Sequence, residues 1–260
     1  MKDLHLPADL RAILGDDPYT VDSVGCSGSK VLMFQDKVLK IRPDSDEART
    51  EHTILLWLEG RLPAPRCLFH ALEDGTDYLL MTRIQGKMAC DEGYMKRENG
   101  RYVVRLLADA LKRLWQVDAG NCPVRQTLSK DLALARQAVE EGKAEYSGRG
   151  GFADDRALLK WLEANQPAQE DLVFSHGDYC MPNVLFDGDA LAGYIDLGNM
   201  GVADRWEDIA MVHRSLRYNF SGVFGGQVYP DFDPDWLFEE LGIPFDAEKF
   251  RYYDLLHELY

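Results

Sequence analysis

The sequence predicts an α+β fold of two lobes, a small β-rich N-terminal lobe and a larger, mainly helical C-terminal lobe. Short apolar segments separated by turns dominate the first third of the chain, and helical periodicity dominates the rest. A polar loop between two strand-like segments interrupts the helical part near residue 178. The 260 residues suffice for two lobes, and we place the boundary between residues 1–83 and 84–260.

The N-terminal lobe begins with strand-like segments over residues 19–42. The first, 19–24, leads into the glycine-containing loop 25–29, and two more, 30–34 and 37–41, flank a Gln-Asp turn. A helix follows, and a hairpin across an Asp-Gly turn ends the lobe. The pattern therefore predicts a small antiparallel sheet with one helix.

That helix is predicted over residues 46–59 because apolar side chains recur on one face. Ile54, Leu55 and Leu58 form the stripe, and Asp46 can cap the N-terminus. Gly60 and the prolines after it end the helix.

The C-terminal lobe is predicted to be mainly helical after residue 86. Residues 101–117 carry the strongest apolar periodicity, and weaker helical stretches lie near 128–143 and 154–165. A strand at 171–175 enters the polar loop, a hairpin over 183–195 follows it, and the remainder reads as helical.

Composition and charge exclude several classes of protein. No apolar run is long enough to span a membrane, and the N-terminus lacks the apolar region of a secretion signal. The five cysteines form no C-x-x-C pair, which indicates reduced thiols. The net charge of −15 disfavours nucleic acid and anionic membranes and weakly favours a cationic substrate. We expect a cytoplasmic monomer.

The densest chemical signal is the segment 176–183, His-Gly-Asp-Tyr-Cys-Met-Pro-Asn. Asp178 stands five residues before Asn183, and Asp196 follows at the end of a short strand in an Asp-x-Gly sequence. This order fits the catalytic loop of kinases. One carboxylate there orients a hydroxyl and accepts its proton, while a second carboxylate and an amide hold Mg²⁺.

The N-terminal lobe supplies residues suited to bind phosphate. Lys40 lies on a predicted strand, and Glu51 on the next helix can pair with it. The loop 25–29, Gly-Cys-Ser-Gly-Ser, lacks a full G-x-G-x-x-G pattern, but its small residues let backbone N–H groups and Ser27 approach phosphate oxygens. No G-K-[ST] sequence exists, so this is not a Walker loop.

At these residues the chain resembles the aminoglycoside phosphotransferases, especially those acting on the 3′-hydroxyl. The resemblance is densest in segments 57–63, 172–178, 195–198, 203–210 and 252–260. It implies a protein-kinase-like fold, ATP or GTP with Mg²⁺ as the phosphoryl donor, and a cationic aminoglycoside as acceptor.

The resemblance also implies a role for individual residues. Asp178 resembles the catalytic aspartate, and Asp208 a structural residue beneath the catalytic loop. The implied cofactor ligands are Asn183 and Asp196 for Mg²⁺, Lys40, Glu51 and Ser27 for phosphate, and the hinge residues Thr82 and Ile84 for the base. The implied substrate ligands are Glu145, Glu258 and the terminal carboxylate of Tyr260.

Several positions depart from the family pattern. Val38 stands where the family often has an aromatic residue that stacks on the base, and His257 where an acidic residue is common. Asn199 stands where a close relative has a basic residue. The stretch 145–151 has fewer carboxylates than the family's acidic loop. These differences bear on substrate range and not on the reaction class.

Two alternative functions remain open at this stage. The first is a kinase for another hydroxylated metabolite or antibiotic, such as choline, on the same fold. The second is a catalytically silent nucleotide-binding protein, although the set of Lys40, Glu51, Asp178, Asn183 and Asp196 is intact. A choline kinase needs an aromatic cage, whereas an acidic C-terminus suits primary ammonium groups. A protein kinase is disfavoured because no Ala-Pro-Glu segment exists.

Overall fold

The structure is a computed structural model that describes residues 6–22, 29–144 and 146–259. The predicted site residues Ser27, Glu145 and Tyr260 lie outside the described residues. The α+β fold class is confirmed: a β-sheet forms the N-terminal part, and helices dominate the remainder. The boundary at residue 83 stays a prediction, although the large sheet ends at Thr82.

The N-terminal part holds a five-stranded antiparallel sheet of strand order β1-β2-β3-β5-β4. Leu32, Leu39 and Leu80 are fully buried, and the helix α1, which the sequence analysis did not predict, packs its leucines against them. The elements are α1 (Ala8–Leu14), β1 (Thr20–Asp22), β2 (Lys30–Met33), β3 (Lys37–Pro43), α2 (Asp46–Leu58), β4 (Cys67–Glu73) and β5 (Thr76–Thr82).

Helix α2 has the apolar stripe that its sequence predicts, since Ile54, Leu55 and Leu58 are buried. Its N-cap differs from the prediction: Ser45 accepts the capping hydrogen bond from the Ala48 N–H, and Asp46 is the first helical residue. Glu51 is buried on the same helix and faces the sheet instead of solvent.

The C-terminal part is built around the long amphipathic helix α4, whose buried face joins the main core. The polar loop around residue 178 lies between the strands that end at Ser175 and begin at Val184. The elements are β6 (Lys87–Met88), α3 (Glu92–Met95), α4 (Arg101–Trp115), α5 (Leu128–Glu140), α6 (Asp155–Ala164), β7 (Leu172–Ser175), β8 (Val184–Asp187), β9 (Ala190–Tyr194), β10 (Gly201–Asp204), α7 (Arg205–Phe220), α8 (Trp236–Leu241) and α9 (Ala247–Leu256).

Two small sheets frame the polar loop. Strands β7 and β10 pair antiparallel, and β8 lies between β6 and β9. The predicted strand at 171–175 and the predicted hairpin at 183–195 therefore both exist, within a residue or two of their expected ends. Within 6–22, 29–144 and 146–259, no helix combines the length and apolar character needed to cross a bilayer.

Candidate active site

Asp208 of helix α7 holds the loop that follows β7 in place through hydrogen bonds to the loop backbone. The two carboxylate oxygens of Asp208 accept hydrogen bonds from the backbone N–H groups of His176 and Gly177, both at 2.9 Å. Gly177 has a positive φ of 75° and packs against the backbone of Asn199, so a side chain there would collide with it. Asp208 therefore has the structural role that the family resemblance implies.

Asp178 and Asn183 lie together at the two ends of this loop. The Asn183 amide nitrogen donates to the Asp178 carboxylate at 2.8 Å and to the Asp178 backbone carbonyl at 3.0 Å. Because its nitrogen faces Asp178, the amide oxygen of Asn183 is left for another partner. The Ile195 N–H donates to the Asn183 carbonyl at 3.0 Å, which brings Asp196 beside this pair.

Lys40 joins the two parts of the molecule across the cleft between them. Its ammonium lies 2.7 Å from Oε1 of Glu51, as the sequence predicts, and 2.9 Å from Oδ1 of Asp196. The sequence positions of Lys40 and Asp196 are 156 apart. The predicted phosphate-binding lysine thus contacts the predicted metal-binding carboxylate directly.

The charged groups in this cleft shift each other's pKa values. Burial favours the neutral lysine, but the carboxylates of Glu51 and Asp196 outweigh it and raise the pKa of Lys40. For Asp196, burial acts to raise the pKa, and the Lys40 ammonium holds it below its ordinary value. Both groups are therefore charged at neutral pH, as phosphate and metal binding require.

Arg42 is a site residue that the sequence analysis missed. Its guanidinium lies 2.6 Å from the second carboxylate oxygen of Glu51 and donates to Asp77 at 3.2 Å. Asp77 in turn contacts the His70 ring at 2.7 Å. A signal was available, because Lys40 and Arg42 are two residues apart on a strand and so point to the same side. Arg42 and Lys40 together clamp the Glu51 carboxylate.

The predicted hinge residues lie at the end of β5. The Thr82 N–H donates to the Arg66 carbonyl at 2.9 Å, so that group is already engaged within the sheet. The Thr82 hydroxyl accepts from the Arg66 N–H at 2.9 Å. Ile84 is partly buried near Gly193. A contact of the remaining backbone groups with a nucleotide base stays a prediction.

A second charge cluster lies at the C-terminal segment, where the buried carboxylates of Asp254 and Glu258 meet two partly exposed arginines, Arg149 and Arg214. Arg149 binds Asp254 through two hydrogen bonds of 2.9 and 2.5 Å. Glu258 is 1% exposed and lies 3.6 Å from Arg149 and 3.5 Å from Arg214. The predicted substrate ligand Glu258 therefore has two internal cations near it, which the sequence pattern does not predict.

This cluster lies within electrostatic reach of the catalytic loop. His257, next to Glu258, is buried, and its burial lowers its pKa to about 4, while the Asp178 carboxylate acts in the opposite direction. Helix α7 links the two places, since Arg214 donates to the His257 carbonyl at 2.6 Å and Ser215 accepts from the Met181 N–H at 2.9 Å.

Fold and site together define a phosphotransferase of the kinase-like kind, and the sequence profile agrees. Residues 22–242 match the phosphotransferase enzyme family, so the chain belongs to that family. A protein of Niallia circulans named aminoglycoside 3′-phosphotransferase is 36% identical over 98% of this chain and 97% of its own. A protein of the same name from Enterococcus faecalis is 30% identical over the whole of both chains.

Solved structures extend this similarity to three dimensions. The crystal structure of aminoglycoside-3′-phosphotransferase of type VIII is 29% identical and superposes with a TM-score of 0.76, covering 96% of this chain and 97% of its own. An aminoglycoside phosphotransferase from Streptomyces rimosus in complex with ADP and streptomycin is 23% identical with a TM-score of 0.75, covering 96% and 95% of the two chains. The second likeness concerns the fold alone.

Proposed function

We propose that this protein transfers the terminal phosphoryl group of ATP or GTP to the 3′-hydroxyl of an aminoglycoside and thereby inactivates the antibiotic. The observation that carries the reaction class is the contact of Lys40 with Asp196 across the cleft. It joins a phosphate-binding cation to a metal-binding carboxylate beside Asp178 and Asn183. The substrate class is supported by the relatives of that name, which align over nearly the whole chain.

In the proposed reaction Asp178 acts on the acceptor hydroxyl. Its carboxylate orients the hydroxyl and receives its proton as the oxygen bonds to the terminal phosphorus. The bond from that phosphorus to the bridging oxygen breaks, and a nucleoside diphosphate leaves. Asn183 keeps the Asp178 carboxylate in place through its 2.8 Å hydrogen bond.

The described residues fit a bound Mg²⁺. Asn183 has an amide oxygen turned away from Asp178, and Asp196 is half exposed to the cleft with one oxygen on Lys40. Amide and carboxylate oxygens are the donors that Mg²⁺ prefers. When bound, the ion neutralises phosphate charge. Lys40 supplies the second positive charge and Glu51 directs it. We further propose that the enzyme acts as a cytoplasmic monomer.

The test is a turnover assay on the purified protein with ATP or GTP and Mg²⁺. Kanamycin B and tobramycin form a matched pair because tobramycin is the 3′-deoxy form. We expect nucleoside diphosphate release with kanamycin B and little with tobramycin, a macrolide or choline. The Asp178→Asn variant is the control: it should bind nucleotide and lose about 10²-fold or more in kcat.

Three other outcomes would each contradict a different part of this proposal. Equal turnover of kanamycin B and tobramycin would exclude the 3′-hydroxyl as the acceptor. Turnover of choline or a macrolide alone would exclude the aminoglycoside class but keep the phosphotransferase. An Asp178→Asn variant with most of its kcat would remove Asp178 from the catalytic role.

A further inference from the structure

The Glu258 carboxylate has one oxygen that is held and one that is not. Oε2 accepts hydrogen bonds from the backbone N–H of Ser147, at 3.3 Å, and from the Ser147 hydroxyl. Oε1 is buried and accepts no hydrogen bond from any residue in the described part of the chain. An acceptor without a donor in a buried site is costly. Oε1 can therefore accept a hydrogen bond from a cation that approaches it more closely than the two arginines do.

Two guanidinium groups stand near Oε1, and they differ in how they are fixed. Arg214 belongs to helix α7 and donates at 2.6 Å to the His257 carbonyl. This hydrogen bond fixes the guanidinium next to Glu258. Arg149 belongs to the connection between α5 and α6, and its short bonds go to Asp254 instead. At Glu258, Arg149 therefore makes only a long ion pair of 3.6 Å, and its backbone lies outside the α-helices that pack around the cluster.

The connection is also held by contacts that do not involve the Arg149 side chain. The Tyr146 hydroxyl donates to the Arg149 carbonyl at 2.6 Å and accepts from the Phe152 N–H at 3.1 Å. Ser147 binds Glu258 independently. Loss of the guanidinium should therefore leave the path of the backbone intact.

The two arginines balance the charge of Asp254 and Glu258. A balanced cluster attracts a polycation little, whereas two buried carboxylates with one arginine attract it strongly. A primary ammonium that binds Oε1 must take the place of the Arg149 guanidinium. The family resemblance predicts that the segment between α5 and α6 carries carboxylates that bind the substrate. Arg149, in this same segment, has the opposite charge.

We propose that Arg149 is a specificity-determining residue, an internal cation that competes with substrate ammonium groups for Glu258 and Asp254. The inference rests on the proposed function, because it assumes a cationic acceptor near this cluster. Arg149 then lowers the affinity for every aminoglycoside and most of all for the more highly charged ones. It favours substrates that can bind while Arg149 stays in place.

The experiment compares the native protein with Arg149→Ala and with Arg136→Ala. The control removes one arginine from the exposed pair of Arg136 with Glu163 and changes the net charge equally. Calorimetry gives the dissociation constants of kanamycin A and the more highly charged neomycin B, at low and at physiological salt. Steady-state kinetics gives KM for both drugs and for ATP.

We expect Arg149→Ala to bind aminoglycosides about threefold to tenfold more tightly, the effect of one partly screened charge. Neomycin B should gain more than kanamycin A, and salt should reduce the gain. The KM for ATP should not change, and Arg136→Ala should behave as the native protein does. Arg149→Lys should restore weak binding, because the ammonium again neutralises the carboxylates.

Two outcomes would overturn the inference alone: equal affinity in all variants, or weaker binding of both drugs by Arg149→Ala. The second would make Arg149 a structural contact of the loop. Absence of both binding and turnover in every variant, the native protein included, would instead overturn the proposed function and this inference with it. Melting temperatures of the variants equal to that of the native protein exclude unfolding as the cause of a change in affinity.

Discussion

Two buried glutamates, Glu51 in the N-terminal part and Glu258 near the C-terminus, both have their charge compensated by two cations, but the two arrangements differ. Each side chain is 1% exposed, and each lies between two cationic side chains. A buried carboxylate is costly unless cations and hydrogen bonds compensate it. Both sites therefore depend on residues that the sequence places far from the glutamate or on another element.

The difference lies in what carries the cations. Lys40 and Arg42 both belong to strand β3, inside the sheet, and approach Glu51 to 2.7 and 2.6 Å. Glu258 instead has Arg214 on a helix and Arg149 on a connection, and both stay at 3.5 Å or beyond. The first arrangement holds a carboxylate in one position. The second leaves Oε1 of Glu258 without a hydrogen bond from any described residue, and this is the oxygen at which we propose that a substrate ammonium binds.

The largest effect is expected from Lys40→Ala. Removing a charge-assisted donor to phosphate costs roughly 1.5–3 kcal/mol, so kcat/KM for ATP should fall by about tenfold to a hundredfold. Aminoglycoside affinity should stay nearly unchanged. Glu51→Gln should cause a milder form of the same defect because Glu51 only directs the lysine. Steady-state kinetics for both substrates checks this, and a more severe defect in Glu51→Gln would contradict the assigned pairing.

At the other glutamate, Glu258→Gln should raise the aminoglycoside KM by about tenfold, since a charge-assisted bond is lost. The KM for ATP should hold constant. Steady-state kinetics on the native protein and on Glu258→Gln, with melting temperature as the folding control, makes the comparison. Unchanged drug KM in folded variants would show that this end of the chain does not bind substrate.

A smaller effect is expected from Arg42→Lys, which keeps the charge but loses the fork that reaches both Glu51 and Asp77. The loss of about one hydrogen bond should lower kcat/KM for ATP about threefold to fivefold. If Arg42 acts through Glu51, the same substitution in a Glu51→Gln background should have little further effect. Fully additive losses in this double-mutant cycle would show that Arg42 acts by another route.

Acidification should destabilise the protein through His257 while the Lys40–Asp196 pair stays charged. Burial lowers the pKa of His257 to about 4, below the value of about 6.5 in an unfolded chain. The unfolded state then binds the proton first, so stability falls as pH drops from about 6.5 to 4, by roughly 2–3 kcal/mol. The Lys40–Asp196 pair, whose carboxylate pKa is lowered, persists through this range.

The corresponding measurement is the melting temperature of the native protein and of His257→Gln at pH 7.5 and pH 5. We expect the native protein to lose several degrees more than the variant, on the order of 5 °C. Equal losses in the two proteins would show that His257 does not carry this pH dependence.

Local patterns predicted the parts of the site whose members share one short segment. The segment 176–183 contains both Asp178 and Asn183, and the structure places them in direct contact. The apolar stripe predicts helix α2, but the sequence pattern places its N-cap at Asp46, one residue after the observed N-cap Ser45. Helix α1 was missed although Leu10 and Leu14 have helical spacing, because seven residues give a weak periodic signal.

The sequence by itself determined the α+β class and the family, and it predicted Lys40 with Glu51, because strand period, helix period and motif spacing are local properties of the chain. Only the tertiary structure decided which charges pair when they lie far apart along the chain. Arg149 and Asp254 are 105 positions apart, and Lys40 and Asp196 are 156 apart. No local pattern encodes such pairs. They exist because each buried charge must find an opposite one among the side chains that packing brings together.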